Sequence, residues 1–409
     1  VVDTSSATVR GVLVTNANGT YGVGDVITVH VGFSRAVTVT GTPYITLEMG
    51  TTDRNATYVS GSSSTTLTFT HTIVSGDTSS DLDYTNTSAL NLNGGTIQDT
   101  WGVNATLTLA SPGAYGSIAD TQAVVVDTAP ATVRAVISTN ANGTYGVGET
   151  ITVQVGFSKA VTVTGTPFIT LELGGVDKNA TYISGSSSTT LTFSHVVSTG
   201  DSSVDLDYTN STALSSSTGT IRDTWGVDAT LTLANPGAIN SISDNQAIVI
   251  DGGFPTVTGV IATNANGTYG LGDVITIQVG FSKAVTVTGT PYITLEMGAT
   301  DKNATYVSGS STTSLTFSYT ISTSDTNADL DYTTTTALNL NGGTIRDTAL
   351  NNAILTLASP GAAGSIADTQ AIVVDTSTPT VLAVISTNAD GYYNIGDTIT
   401  IQVGFSKAV

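Results

Sequence analysis

The chain has 409 residues, room for about three domains of ordinary size, and its 31 acidic against 11 basic residues give a net charge of −20. Such a balance argues against nucleic acid as a partner, because phosphate binding needs a basic face, and it favours divalent cations. The absence of cysteine rules out thiolate chemistry and cysteine–zinc sites, and no run of about 18 apolar residues is present to span a membrane as a helix.

The first turn signal, Thr15-Asn16-Ala17-Asn18-Gly19-Thr20-Tyr21-Gly22, returns unchanged at Thr139 and Thr263, and a looser copy opens at Thr387. The step is 124 residues each time, without insertion or deletion. The chain therefore divides into repeats at 1–126, 127–250 and 251–374, with an incomplete repeat at 375–409. Units of this size can bury their own cores, unlike the thin coils of a solenoid.

Within the first repeat, strict alternation predicts a strand over 26–33. Ile27, Val29, Val31 and Phe33 face one way, and Thr28, His30 and Gly32 the other. Alternating runs follow at Ile45-Leu47-Met49, Leu67-Phe69-His71-Ile73 and Ala105-Leu107-Leu109, and Ala123 to Val126 close the unit. Turn chemistry separates them at Asn18-Gly19, Gly41-Thr42-Pro43, Gly61-Ser62, Asn93-Gly94-Gly95 and Pro112-Gly113. The expectation is roughly seven to nine strands per repeat and no helix. That makes an all-β chain of tandem immunoglobulin-like β-sandwich domains, with a closed barrel as the structural alternative.

The pairs Val126-Asp127, Ile250-Asp251 and Val374-Asp375 mark the junctions, each followed by Pro130, Pro255 or Pro379. So short a linker predicts a stiff string of domains. The junction element after Ile250 departs at Gly252-Gly253-Phe254, where the joint is expected to bend differently. The fourth copy would expose the apolar face of Ile399, Ile401, Val403 and Phe405. The chain begins and ends within the pattern, so it reads as a piece of something longer whose export signal and anchor lie elsewhere.

The acidic residues hold register from copy to copy. If the first loop, the loop after the fifth strand and the chain exit share one pole, that pole gathers Asp25, Asp77, Asp81 and Asp127. The counterparts are Glu149, Asp201, Asp205 and Asp251, then Asp273, Asp325, Asp329 and Asp375. Converging carboxylates beside backbone carbonyls are what a hard cation such as calcium requires. The competing reading is that these are solvated loop carboxylates and turn caps.

Other candidates are weaker. In Asp81-Leu82-Asp83-Tyr84, Leu82 and Tyr84 are expected to point inward and the two acids outward, and the segment resembles a tyrosine corner. His30 becomes Gln154 and Gln278, and His71 becomes His195 and Tyr319, which places them as sheet-surface and core-edge positions. No phosphate loop, nucleophile elbow or catalytic pair is found, so no enzyme is expected. Nine Asn-X-Ser/Thr sequons, at Asn18, Asn55, Asn86, Asn104, Asn142, Asn179, Asn210, Asn266 and Asn303, could carry glycans.

The phrases Val-Asp-Thr-x-x-Pro-Thr-Val (374–381), Gly-Asp-x-Ile-Thr-Ile-x-Val-x-Phe-Ser (272–282), Gly-Thr-Pro-Tyr-Ile-Thr-Leu-Glu (289–296) and Gly-Gly-Thr-Ile-x-Asp (342–347) resemble the immunoglobulin-like repeats of giant bacterial surface proteins, adhesins and long cyanobacterial cell-surface proteins among them. The resemblance implies a secreted, cell-surface setting and a stalk or surface-layer role. It further implies calcium at the linker residues Asp127, Asp251 and Asp375, with Asp3 in the equivalent place. The expected partners are further repeats of the same or identical chains, cell-surface glycans or other surface proteins. The alternative is a self-assembling extracellular filament or sheath with lateral or donated-strand contacts.

Overall fold

The computed structural model describes residues 5–409. In the first repeat the strands are β1 (Val9–Val14), β2 (Gly19–Tyr21), β3 (Val26–Thr40), β4 (Tyr44–Leu47), β5 (Arg54–Ser60), β6 (Ser64–Thr72), β7 (Thr78–Ser79), β8 (Leu90–Asn91), β9 (Thr96–Asp99) and β10 (Val124–Asp127). One sheet runs β1-β3-β6-β5-β4-β8, with β9 added to the far half of β3; the other runs β2-β10-β7. The second and third repeats reproduce this order.

The alternation in β3 does what its pattern implies: Ile27, Val29, Val31 and Phe33 are buried, while His30 and Gly32 lie on the outer face. The strand then continues past the expected end. Its register shifts between Gly32 and Val37, and the second half leaves β6 to pair with β9. Such an irregularity bends a long strand so that it serves two parts of the sandwich.

Three features depart from the sequence expectation. β2 and β10 pair in parallel, Gly19 opposite Val124 and Tyr21 opposite Val126, so the three-stranded sheet is mixed while the larger sheet is antiparallel throughout. The run Ala105-Leu107-Leu109 forms isolated bridges and no ladder strand, although Leu109 is buried. A one-turn helix, α1 (Ile118–Thr121), precedes β10, with the Ser117 side chain accepting from the Asp120 N–H. Four residues are too few to print a helical period on the sequence.

Each repeat has its own apolar core. The first runs from Ala7 to Val126, the second from Ala131 to Ile250 and the third from Val260 to Val374. Across β5 and β6, Tyr58 packs edge-on against Phe69, with ring centroids 5.8 Å apart. In the fourth copy, strands Val381–Ser386 and Ile401–Phe405 form a hairpin, and Ile399, Ile401, Val403 and Phe405 are exposed as expected.

The Asp83-Tyr84 corner fixes the loop ahead of β10. Tyr84 is buried and donates its hydroxyl to Ala110 O at 2.9 Å. Asp83 is also buried, contrary to the expectation that it faces solvent. Its Oδ1 accepts the N–H groups of Tyr84 and Ile118, and its Oδ2 that of Gly113. The loop 110–118 presents the N–H groups of Gly113 and Ile118 to this carboxylate, the Gly113 N–H being shared with Ser117 Oγ at 3.1 Å, and these bonds override strand parity.

Burial first, and the neighbouring Asp83, Asp207 and Asp331 second, push the hydroxyls of Tyr84, Tyr208 and Tyr332 from 10.0 up to about 12. A raised folded value means that folding holds the neutral phenol. The stability this contributes is complete below pH 10 and is lost as pH rises towards 12. Thermal melts between pH 9 and 12 are expected to show a steep fall in Tm; a Tm flat across that window would contradict the assignment.

Candidate functional site

The first-loop, second-loop and linker segments are bonded to one another, but their four acidic side chains do not converge: among the described residues no three of them come together. Asp25 caps the turn between β2 and β3: its Oδ2 accepts the Gly22 N–H at 2.9 Å. Asp25 also ties that turn to the end of β6, its carbonyl accepting from Ile73 N–H at 2.9 Å. The second loop follows the sixth strand, not the fifth, because β2 is a separate strand paired to β10.

In that second loop Asp77 is fully buried. Arg54 Nε donates to its Oδ1 at 2.6 Å, and its Oδ2 meets His71 Nε2 at 3.0 Å and the Val74 N–H at 3.0 Å. Burial pushes its carboxyl up, but the Val74 N–H, His71 and Arg54 outweigh burial and hold it below the ordinary 3.8. The counterparts keep the arrangement with substitutions. Asp201 takes His195 at 2.8 Å, and Asp325 takes the Tyr319 hydroxyl at 2.6 Å with Lys302 at 3.8 Å. Asp81, Asp205 and Asp329 are exposed and stay outside these clusters.

The linkers are fastened to these loops. Thr128, the residue after Asp127, donates its hydroxyl to Asp77 O at 2.8 Å and accepts from Gly76 N–H at 3.1 Å. Thr376 likewise donates to Asp325 O at 2.9 Å. At the middle junction Gly252 does the same with backbone alone, its N–H to Asp201 O at 2.7 Å and its carbonyl from Gly200 N–H at 3.0 Å. A Cβ there would meet Ser198 O at 2.3 Å, so this altered linker needs its glycine.

The first joint is a stack of side chains from both domains. Strand Thr220–Asp223 delivers a loop in which Asp223 Oδ1 accepts the N–H groups of Trp225 and Val227, each at 3.0 Å. Trp225 crosses the boundary and its indole N–H donates to Asp25 Oδ2 at 2.8 Å. Its ring lies against Gly22, where a Cβ would fall 2.2 Å from ring atoms. Lys159 Nζ stands over the same ring, 5.9 Å from its centroid. That ammonium is fixed by Asp127 at 2.7 Å and Ala129 O at 2.6 Å.

The second joint has different chemistry in the same place. Ala349 replaces the tryptophan, and Asn351 bridges the domains. Its Oδ1 accepts the Val147 N–H at 2.8 Å, while its amide donates to Asp251 O at 2.7 Å and Gly253 O at 3.2 Å. A Cβ on Gly146 would meet Ala349 O at 2.0 Å. Lys283 pairs with Asp251 at 2.6 Å and reaches buried Asp347 at 3.6 Å. Glu149 and Asp273 only cap their own turns, on Gly146 and Gly270 N–H. In the fourth copy Lys407 pairs with Asp375 at 2.9 Å, and Ser377 and Lys407 hold that carboxyl down to about 2. Asp3 lies outside the described residues.

Calcium takes roughly six to eight oxygens, several of them carboxylate. Among the described residues no three acidic or histidine side chains come together to hold a metal. Asp77 is met by Arg54 and His71, Asp127 by Lys159 and Asp25 by Trp225. Asp223 Oδ2 is the one joint oxygen left buried without a hydrogen bond, and its counterpart Asp347 Oδ2 has Asn351 and Lys283 beside it. The donors do not fit calcium: cations and N–H groups of the protein already stand where the ion would be.

Comparison with known protein families and with curated proteins gives no match. Among solved structures, a membrane anchored protein from Corynebacterium diphtheriae is similar at 8% identity, with 91% of this chain and 95% of that one covered and a TM-score of 0.22. The Dpr2 Ig1-Ig2 complex with DIP-Theta Ig1-Ig3 is similar at 10% identity, covering 90% and 100%, with a TM-score of 0.24. Scores this low carry no argument, so the fold rests on the strand order and the parallel β2–β10 closure; the Tyr84 hydroxyl reaches 26 residues downstream to Ala110 O, unlike a tyrosine corner, which bonds backbone a few residues upstream. Each full repeat is an immunoglobulin-like β-sandwich. No helix among the described residues is long and apolar enough to cross a membrane.

Proposed function

We propose that this chain is a load-spacing segment of a secreted surface protein, a stalk or surface layer stiffened by direct contact between neighbouring domains. The observation that supports this most is the first joint, where Trp225 of one domain is held by Gly22 and Asp25 of the one before it. A flexible tether would leave such residues in water, whereas here linker, preceding turn and following loop are all bonded to one another. The acidic, cysteine-free composition and the sequons suit an extracellular setting. Strands of about nine residues span roughly 30 Å, so three domains in line should exceed about 100 Å.

Small-angle scattering of the full chain tests the reading. An extended particle with a longest dimension above about 100 Å is expected, unchanged by a calcium chelator. A compact particle, or one that becomes floppy and melts earlier on chelation, would overturn direct-contact stiffening and return calcium to the joints. Electron micrographs of helical polymers would favour the filament alternative.

A further inference from the structure

We infer that the outer sheet face of the first domain carries a binding site for a carboxylated sugar ring, of the uronic acid kind. On this face Gly11 of β1 stands opposite Gly32 of β3, and Gly32 opposite Thr66 of β6. Two adjacent glycines, Gly11 on the edge strand and Gly32 on its neighbour, leave a dent of about 360 Å³, large enough for a single sugar ring. Leu13, 43% exposed, and His30 form one wall, and Arg10 stands on the other. The glycine floor and Leu13 offer a flat apolar bed for the C–H face of a pyranose. Arg10 offers a guanidinium for its carboxylate. The Arg10 side chain has no hydrogen-bond or ion-pair partner among the described residues, on a chain of net charge −20.

The other repeats serve as internal controls. The second keeps the cation, Arg134, but fills the floor with Ala135, and replaces His30 by Gln154. The third keeps the glycines Gly259 and Gly280 but has Thr258 in place of the arginine. Thr258 Oγ1 lies over Gly280, 2.7 Å from where a Cβ would stand, and the dent shrinks to about 200 Å³. Dent and free guanidinium coincide only in the first domain. This site is independent of the stalk reading, since a flexible chain would bind equally well.

The test is titration of the full chain with glucuronate and galacturonate, with glucose as the neutral control, followed by calorimetry or ligand-observed NMR. One uronate per chain is expected. Binding should weaken tenfold or more in Arg10→Thr and in Gly11→Ala. Both variants copy a residue that a sister repeat carries at that position, and an added Cβ at Gly11 would meet Gly116 O at an ordinary 3.5 Å. Melting curves confirm that they fold. No saturable uronate binding, binding that survives both substitutions, or equal binding of glucose would overturn the proposal.

Discussion

Replacing Gly22 by valine is expected to open the first joint while leaving both domains folded. Gly22 is outside the left-handed region, so its backbone accepts any residue. What forbids a side chain is the neighbouring domain: a Cβ would sit 2.2 Å from the Trp225 ring. The variant must expel the indole, breaking its 2.8 Å bond to Asp25 and its stacking under Lys159. A well-packed tryptophan anchor contributes about 2 kcal/mol or more, so the open joint should become roughly thirtyfold more populated. Gly146→Val should act likewise at the second joint, where Ala349 O lies in the way. Gly270→Val is the control: only Asp375 O comes near, at 3.8 Å. Limited proteolysis at the linker and the radius of gyration read the result. Equal behaviour of all three variants would show that the glycines serve the turn and not the joint.

Asp83→Ala is expected to unfold the first domain well before the others. The carboxylate is 6% exposed and meets three backbone N–H groups, of Tyr84, Gly113 and Ile118. Its removal leaves the buried N–H groups of Tyr84 and Ile118 without a partner, while Gly113 keeps Ser117 Oγ, costing about 3 kcal/mol, or roughly 10 °C in a domain of this size. Asp207 and Asp331 hold the same place in the second and third domains and are untouched. Calorimetry should therefore split into an early transition carrying about a third of the enthalpy and a later one. A single transition at the original temperature would contradict the role of this carboxylate.

Much of this was legible in the sequence. Period-two alternation, kept in three copies, placed β3, β4, β6 and β10 and their buried faces, because parity is a local property of a strand. That the Asp25 turn, the Asp77 loop and the linker lie close in the chain's path was also readable from turn positions, but their carboxylates take separate partners instead of converging. Those partners were not read. Lys159, Lys283 and Lys407 recur in register just as the linker acids do, and that pairing of one cation to each linker acid was the available signal. The Trp225 socket was harder, because its halves lie 200 residues apart and belong to different domains. Its trace is that Trp225 and the Thr128 linker change together, to Ala349 and Gly252, at the next joint. Asp83 misled because parity assigns a face, whereas a crossing loop with unmet N–H groups decides burial.

The chain has only two tryptophans, Trp101, 68% exposed, and Trp225, packed in the first joint. Fluorescence of the Trp101→Phe chain therefore reports that joint alone. The account predicts blue-shifted Trp225 emission, shielded from soluble quencher, unchanged by chelator and lost in Gly22→Val. Emission that is quenched as readily as that of Trp101, or that becomes shielded only when calcium is added, would contradict it.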